Sequence, residues 1–131
     1  MDLQRVHLDE ARREAAPDGS TVYLLASVDE GGTAVFELAP GAISRSVRHP
    51  RVQEVWFVLA GRGRMWRRAH DGPGGITDLV VGTSLNIPRN TTFQFRNDGD
   101  EPLRVLGVTA PPWAGDSDAE VVEHGEWPPS V

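Results

Sequence analysis

The stretch GAISRSVRHPRVQEVWFVLAG, residues 41–61, holds one histidine, then a glutamate on an alternating strand pattern, then an apolar run closed by Gly-x-Gly at 61–63. Alternation with period two assigns faces. If His49 points inward, so do Ile43, Arg45 and Val47, and Glu54 brings Trp56 and Val58 with it. The segment therefore reads as two strands whose inner faces carry one imidazole and one carboxylate among apolar neighbours.

Outward from this segment the same texture continues. Short β-branched or aromatic runs recur from TVYLLASV at residue 21 to LRVLGVTA at residue 103, separated by turn signals such as DEGG, DGPGG and NDGDEP. Many short strands at near-regular spacing predict an all-β antiparallel sandwich or barrel. With 131 residues the chain fits a single domain. Residues 1–19 read as an N-terminal segment, 20–110 as the barrel and 111–131 as a tail rich in Pro and acidic residues, with two tryptophans, that straps the barrel or a partner. Within the first segment, residues 9–16 read as one or two helical turns with Asp9 as N-cap, stopped by Pro17.

Composition removes several function classes. The net charge of −6 gives no electrostatic footprint for nucleic acid or anionic membranes. The absence of Cys excludes disulfides, thiolate metal sites and cysteine nucleophiles, and all 13 basic residues are Arg, which excludes lysine Schiff-base chemistry. The Arg-only usage suggests a G+C-rich bacterial genome. The charged N-terminus has no apolar core of a signal peptide, so a cytoplasmic protein is expected.

Two segments resemble the paired motifs of the cupin superfamily. Gly41, His49, Glu54 and Gly61 match G-x5-H-x-H-x3,4-E-x6-G at its start, second histidine, glutamate and end. Gly82, Pro88 and Asn97 match G-x5-P-x-G-x2-H-x3-N without insertion. Asn90 takes the place of a glycine, and Asn is among the few residues that accept a left-handed turn. The resemblance covers roughly residues 20–110 and implies a single-domain jelly-roll barrel, the double-stranded β-helix of cupins. It also implies a metal such as Mn, Fe, Ni or Zn held by three histidines and the glutamate. Here Val47 stands at the first histidine position and Phe93 at the third. Only His49 and Glu54 remain as metal ligands, too few for tight binding, so no cofactor is expected.

What remains is a pocket. His49 and Glu54 are the candidate catalytic pair, with Arg45, Val47, Trp56, Met65, Arg67, Phe93 and Phe95 as the candidate ligand-binding lining, since a few convergent polar groups among apolar walls is the usual make-up of a small-molecule site. Gln53 and Gln94 are one residue out of register and should face the other side of their strands. Two readings stand side by side: a metal-independent acid–base enzyme of isomerase, epimerase, cyclase or dehydratase type, and a non-catalytic metabolite-binding protein. A third, a metal-dependent cupin of dioxygenase or isomerase type, needs ligands from a loop or from substrate. Against all three, a buried His beside a Glu can be a hydrogen-bonded pair of purely structural value, and aromatics at period two serve packing. A small-molecule ligand and a homodimer, with the N-terminal strand or the tail crossing over, are the expected partners.

Overall fold

The computed structural model describes residues 1–115 and 118–131. Its strands are β1 (Arg12–Ala15), β2 (Thr21–Ser27), β3 (Gly32–Leu38), β4 (Val47–Arg48), β5 (Gln53–Ala60), β6 (Gly63–Arg68), β7 (Gly74–Leu79), β8 (Ser84–Ile87), β9 (Thr92–Asn97), β10 (Leu103–Ala110) and β11 (Glu120–Val121). They build two antiparallel sheets, β1-β2-β3-β10-β5-β8 and β11-β4-β9-β6-β7, which face each other as a jelly-roll barrel.

Alternation decides the core. Along β5 every second residue is buried, so Glu54, Trp56 and Val58 point inward while Gln53, Val55, Phe57 and Leu59 face out. On β8, Leu85 and Ile87 are buried opposite them. Phe36, Trp56, Met65, Phe93 and Phe95 join Val22, Leu38, Leu79, Leu103 and Val105 in one contiguous core between the sheets. Trp56 sits at its centre, stacked on Phe36 with ring centroids 5.4 Å apart and edge-on to Phe95 at 5.0 Å and Phe93 at 6.0 Å. Gly107 of β10 makes this possible: a Cβ there would lie 2.3 Å from the Phe36 ring.

The N-terminal expectation fails in an informative way. Only Leu8–Glu10 turns, as a 3-10 element, and its N-cap is His7, whose Nδ1 accepts from the Asp9 amide at 3.1 Å. Residues Arg12–Ala15 are extended instead and pair with β2, Arg12 opposite Leu24 and Ala15 opposite Thr21. The open edge of β2 offers a full ladder of backbone partners, which outweighs the modest helix propensity of a short Ala/Glu/Arg run. The tail is held as well. Val122 N–H donates to Ser46 O, and Trp127 N–H to Gln94 Oε1 at 3.0 Å. Gln94 Nε2 donates back to Trp127 O and to Ser44 O. Gln94 thus faces away from the barrel interior as its register requires, but is fully buried beneath the tail.

Candidate active site

Three elements bring the site together. His49 follows β4 at the barrel mouth, and its carbonyl accepts the amide of Asn90 at 2.9 Å. Asn90 occupies the left-handed region, φ 66°, in the β8–β9 turn, as its place in the second motif predicted. Glu54 begins β5, and Phe93 of β9 lies opposite Val47 of β4 in the neighbouring sheet. The imidazole stacks on Phe93 at 6.0 Å between ring centroids. All four positions of the motif therefore face one cavity of about 10 Å³, lined also by Ala16, Pro17, Asp18, Phe36, Trp56, Trp113 and Ala119. A space of that size admits about one water-sized group.

The polar groups of this cavity are not satisfied by each other. His49 Nε2 and Glu54 Oε2 are 3.9 Å apart, beyond hydrogen-bond distance. Trp56 Nε1–H donates to Glu54 Oε1 at 3.3 Å, leaving Oε2 uncommitted within the protein. From the tail, Asp118 brings Oδ2 within 3.3 Å of His49 Nδ1, but off the line of a hydrogen bond, and among the described residues the buried Nδ1 has no hydrogen-bond partner. Asp118 is itself clasped at the mouth. It accepts from Arg51 Nε at 3.0 Å and from the backbone amides of Arg51 and Val52 at 3.3 and 3.0 Å. Asp18 forms the opposite wall, with Oδ1 accepting from the Ser20 amide at 2.9 Å and the Ser20 hydroxyl at 2.6 Å.

Burial sets the protonation states. It pushes the Glu54 carboxyl up to about 7, with nearby Asp18 adding to the rise and the Trp56 hydrogen bond opposing it. Asp18 is likewise raised by burial, against the pull of Ser20, His49 and Arg45. The same desolvation holds His49 below its usual range, despite Asp118 and Asp18. Burial also acts upward on Asp118, but the Arg51 side chain and the two amides outweigh it and keep the group below the ordinary carboxylate range. At neutral pH the interior thus offers a carboxyl near its midpoint beside a neutral imidazole.

The expected lining divides. Val47, Trp56 and Phe93 line the cavity, whereas Met65 and Phe95 are fully buried in the core behind it. Arg45 is not an interior cation. It is exposed, and its Nη1 donates to Pro17 O at 3.1 Å while its amide donates to Asp18 O, so it pins the cavity wall from outside. Ile43 is only half-buried, because its bridge to Arg96 and the Val47–Phe93 pair are out of step by one residue, and the extra residue between them breaks the alternation that leads back from Val47. Arg67 is half-buried at the seam between the sheets, donating to Asn86 O at 2.8 Å and to Thr77 Oγ1 at 3.2 Å. Charge burial explains both displacements, since a guanidinium inside this dry core would have no full set of acceptors. Conversely Asp18, Asp118, Phe36 and Trp113 belong to the site without having been read from the sequence. Asp18 sits in a segment, APDGS, that reads only as a turn, and Asp118 lies in a tail with no spacing pattern.

A metal does not fit these residues. Two of the four positions that would ligate it present the side chains of Val47 and Phe93, Glu54 Oε1 is engaged by Trp56, and among the described residues no group of three His, Cys, Asp or Glu side chains converges. No chemical step is therefore routed through one. The backbone frame is nevertheless intact, which gives a prediction. Val47→His combined with Phe93→His should create a Mn, Ni or Zn site that stabilises the fold by about 1.4 kcal/mol at a metal concentration ten times Kd, with little effect of metal on the wild type. Thermal unfolding with and without metal checks this, and stoichiometric metal in wild-type protein purified without a nickel column would contradict it.

Comparison with known proteins agrees with this architecture. Residues 34–109 match the family model described as Cupin domain. An uncharacterised protein of Methanocaldococcus jannaschii is 28% identical over 76 residues, which are 58% of this chain and 56% of that protein; the chain thus spans about half the length of the relative it matches. Oxalate decarboxylase from Bacillus subtilis, solved at pH 4.6, superposes with a TM-score of 0.72 at 23% identity over 88% of this chain and 30% of that one. Another structure of the same enzyme, from a study of its Mn(II) centres, gives 0.70 at 23% identity, over 88% of this chain and 31% of its own. At that identity the likeness is one of fold. Among the described residues no helix is long and apolar enough to cross a membrane.

Proposed function

This chain belongs to the cupin family, and on that premise we propose that it binds a small molecule inside the barrel and performs metal-independent acid–base chemistry on it. Glu54 is the proton donor and His49 the acceptor. The observation that carries this reading is the pairing of a carboxyl raised to about 7 with a neutral imidazole 3.9 Å away, both on the same aromatic-walled cavity. Two titratable groups pushed toward opposite protonation states by one environment are suited to give and take a proton near neutral pH. Proton transfers of this kind serve isomerisation, epimerisation, cyclisation and dehydration.

A structural pair would show the two groups bonded to each other, and they are not. Binding without turnover is the second reading. It is favoured by the closure of the mouth, where Trp113 and Ala119 of the tail cover a cavity of only about 10 Å³. The experiment that separates them is a thermal-shift screen of small metabolites followed by turnover assays. For a true substrate, Glu54→Gln and His49→Ala should each lower turnover by about 10²–10⁴-fold. A ligand whose binding depends on Glu54 and which is never turned over selects the second reading. A large loss of stability in both variants with no ligand found would remove both.

We further propose that the chain pairs with a second copy. Both segments expected to cross over are used within the chain, β1 against β2 and β11 against β4. The outer face of β5 and β10 is uncovered, with Val55, Phe57, Leu59 and Val108 41–49% exposed and Val108 directly opposite Val55. A contiguous apolar face of this kind marks an interaction surface. Light scattering should give a dimer mass at micromolar concentration and a monomer mass for Phe57→Glu; a monomeric wild type would overturn the pairing.

A further inference from the structure

We propose that the barrel cavity recognises a small organic cation, an ammonium group on a short apolar body. The inference rests on the reading of this cavity as a ligand site and names the class of ligand.

Charge comes first. Asp18 and Glu54 line the cavity and Asp118 meets His49 beside it, and among the described residues no arginine lines the cavity. Arg45 lies outside the wall, Arg67 lies at the sheet seam, and Arg51, 77% exposed, meets Asp118 from the solvent side. An anionic ligand would enter against these carboxylates with no cation to receive it. A cation provides the partner that a buried carboxylate otherwise lacks.

Donor counting points the same way. The Asp118 carboxylate 3.3 Å from Nδ1, though off the line of a hydrogen bond, favours the imidazole proton on that nitrogen, which leaves His49 Nε2 as an acceptor sharing a gap with Glu54 Oε2, 3.9 Å away. Both are acceptors when Glu54 is ionised, and they need a donor with at least two hydrogens between them. An ammonium carries three, a water two and a hydroxyl only one, and of these only the ammonium also neutralises the carboxylate. The water-sized space matches an ammonium head. Phe36, Trp56, Phe93 and Trp113 supply aromatic walls, which attract a desolvated cation and accept an apolar body. Trp113 is the wall contributed by the tail, half-buried and held by Nε1–H to Glu14 Oε2 at 2.9 Å, so the apolar body must displace it to be seated.

The test is titration of the full chain with ethylammonium, ethanol and acetate in phosphate buffer free of amines, read by calorimetry and by tryptophan fluorescence. Ethylammonium should bind at least tenfold more tightly than either size-matched probe. Glu54→Gln and, as a second variant, Asp18→Asn should each weaken it about tenfold or more while unfolding cooperatively. Tighter or equal binding of ethanol or acetate, lost on Glu54→Gln, would overturn the cationic class and leave the ligand site standing. Failure of all three probes to bind the wild type, or binding that neither variant alters, would overturn the ligand site as well.

Discussion

Glu54→Gln should be more stable than the wild type by about 2–3 kcal/mol at pH 8, with the difference vanishing toward pH 4. The carboxyl titrates at about 7 in the folded protein against an ordinary 4.5. Between these values the folded chain holds a proton that the unfolded chain has released, so the stability contributed by Glu54 is full below about 4.5 and is lost as the pH rises through about 7. Each unit of separation corresponds to about 1.4 kcal/mol. Asp18, also raised, acts in the same direction, whereas His49, lowered by burial, removes stability as the pH falls below its usual 6.5. The wild-type profile is thus a sum of opposed terms, and the difference between variant and wild type isolates Glu54. Gln keeps the carbonyl oxygen that accepts from Trp56 Nε1–H, so packing is unchanged. Urea unfolding at several pH values checks it. A variant less stable than the wild type at pH 8 would mean that the ionised carboxylate is well solvated or paired.

Trp56→Ala should lower stability by about 3–5 kcal/mol, enough to unfold a marginal domain at moderate temperature. The indole is 2% exposed and in contact with three other rings, so its removal opens a void between two hydrogen-bonded sheets that cannot collapse together freely. The change also leaves Glu54 Oε1 without its donor. Phe57→Ala on the same strand, one residue on and 44% exposed, is the control and should cost far less in the monomer. Denaturant midpoints for the two variants test this, and equal losses would show that the faces of β5 are misassigned.

How much of this was legible in the sequence follows from the range of the interactions involved. Alternation along residues 53–60 placed Glu54, Trp56 and Val58 inside, because the period of a strand is fixed by its own backbone. The spacing of Gly41, His49, Glu54 and Gly61 carried the barrel and the meeting of the two polar groups. Asn90 carried its left-handed turn. Arg45 was misplaced inside by the same alternation, because the regular strand β4 spans only Val47–Arg48 and the segment before it meets β9 one residue out of step, Ile43 at Arg96 against Val47 at Phe93. Strand β1 depended on an edge offered by β2, and Asp18, Trp113 and Asp118 reach the site from parts of the chain far from the motifs. None of these carries a local period. The fold and half of the site were therefore written locally, and the other half was set by tertiary contact.

The account turns on a Glu54 carboxyl that titrates near neutral pH beside a neutral His49. Its most direct measurement is an NMR titration of the side-chain carboxyl carbon of Glu54, assigned through Glu54→Gln. The expected result is a midpoint close to 7. A midpoint near the ordinary 4.5 would contradict it, because the carboxylate would then be solvated and have no proton to donate where the imidazole is free to accept one.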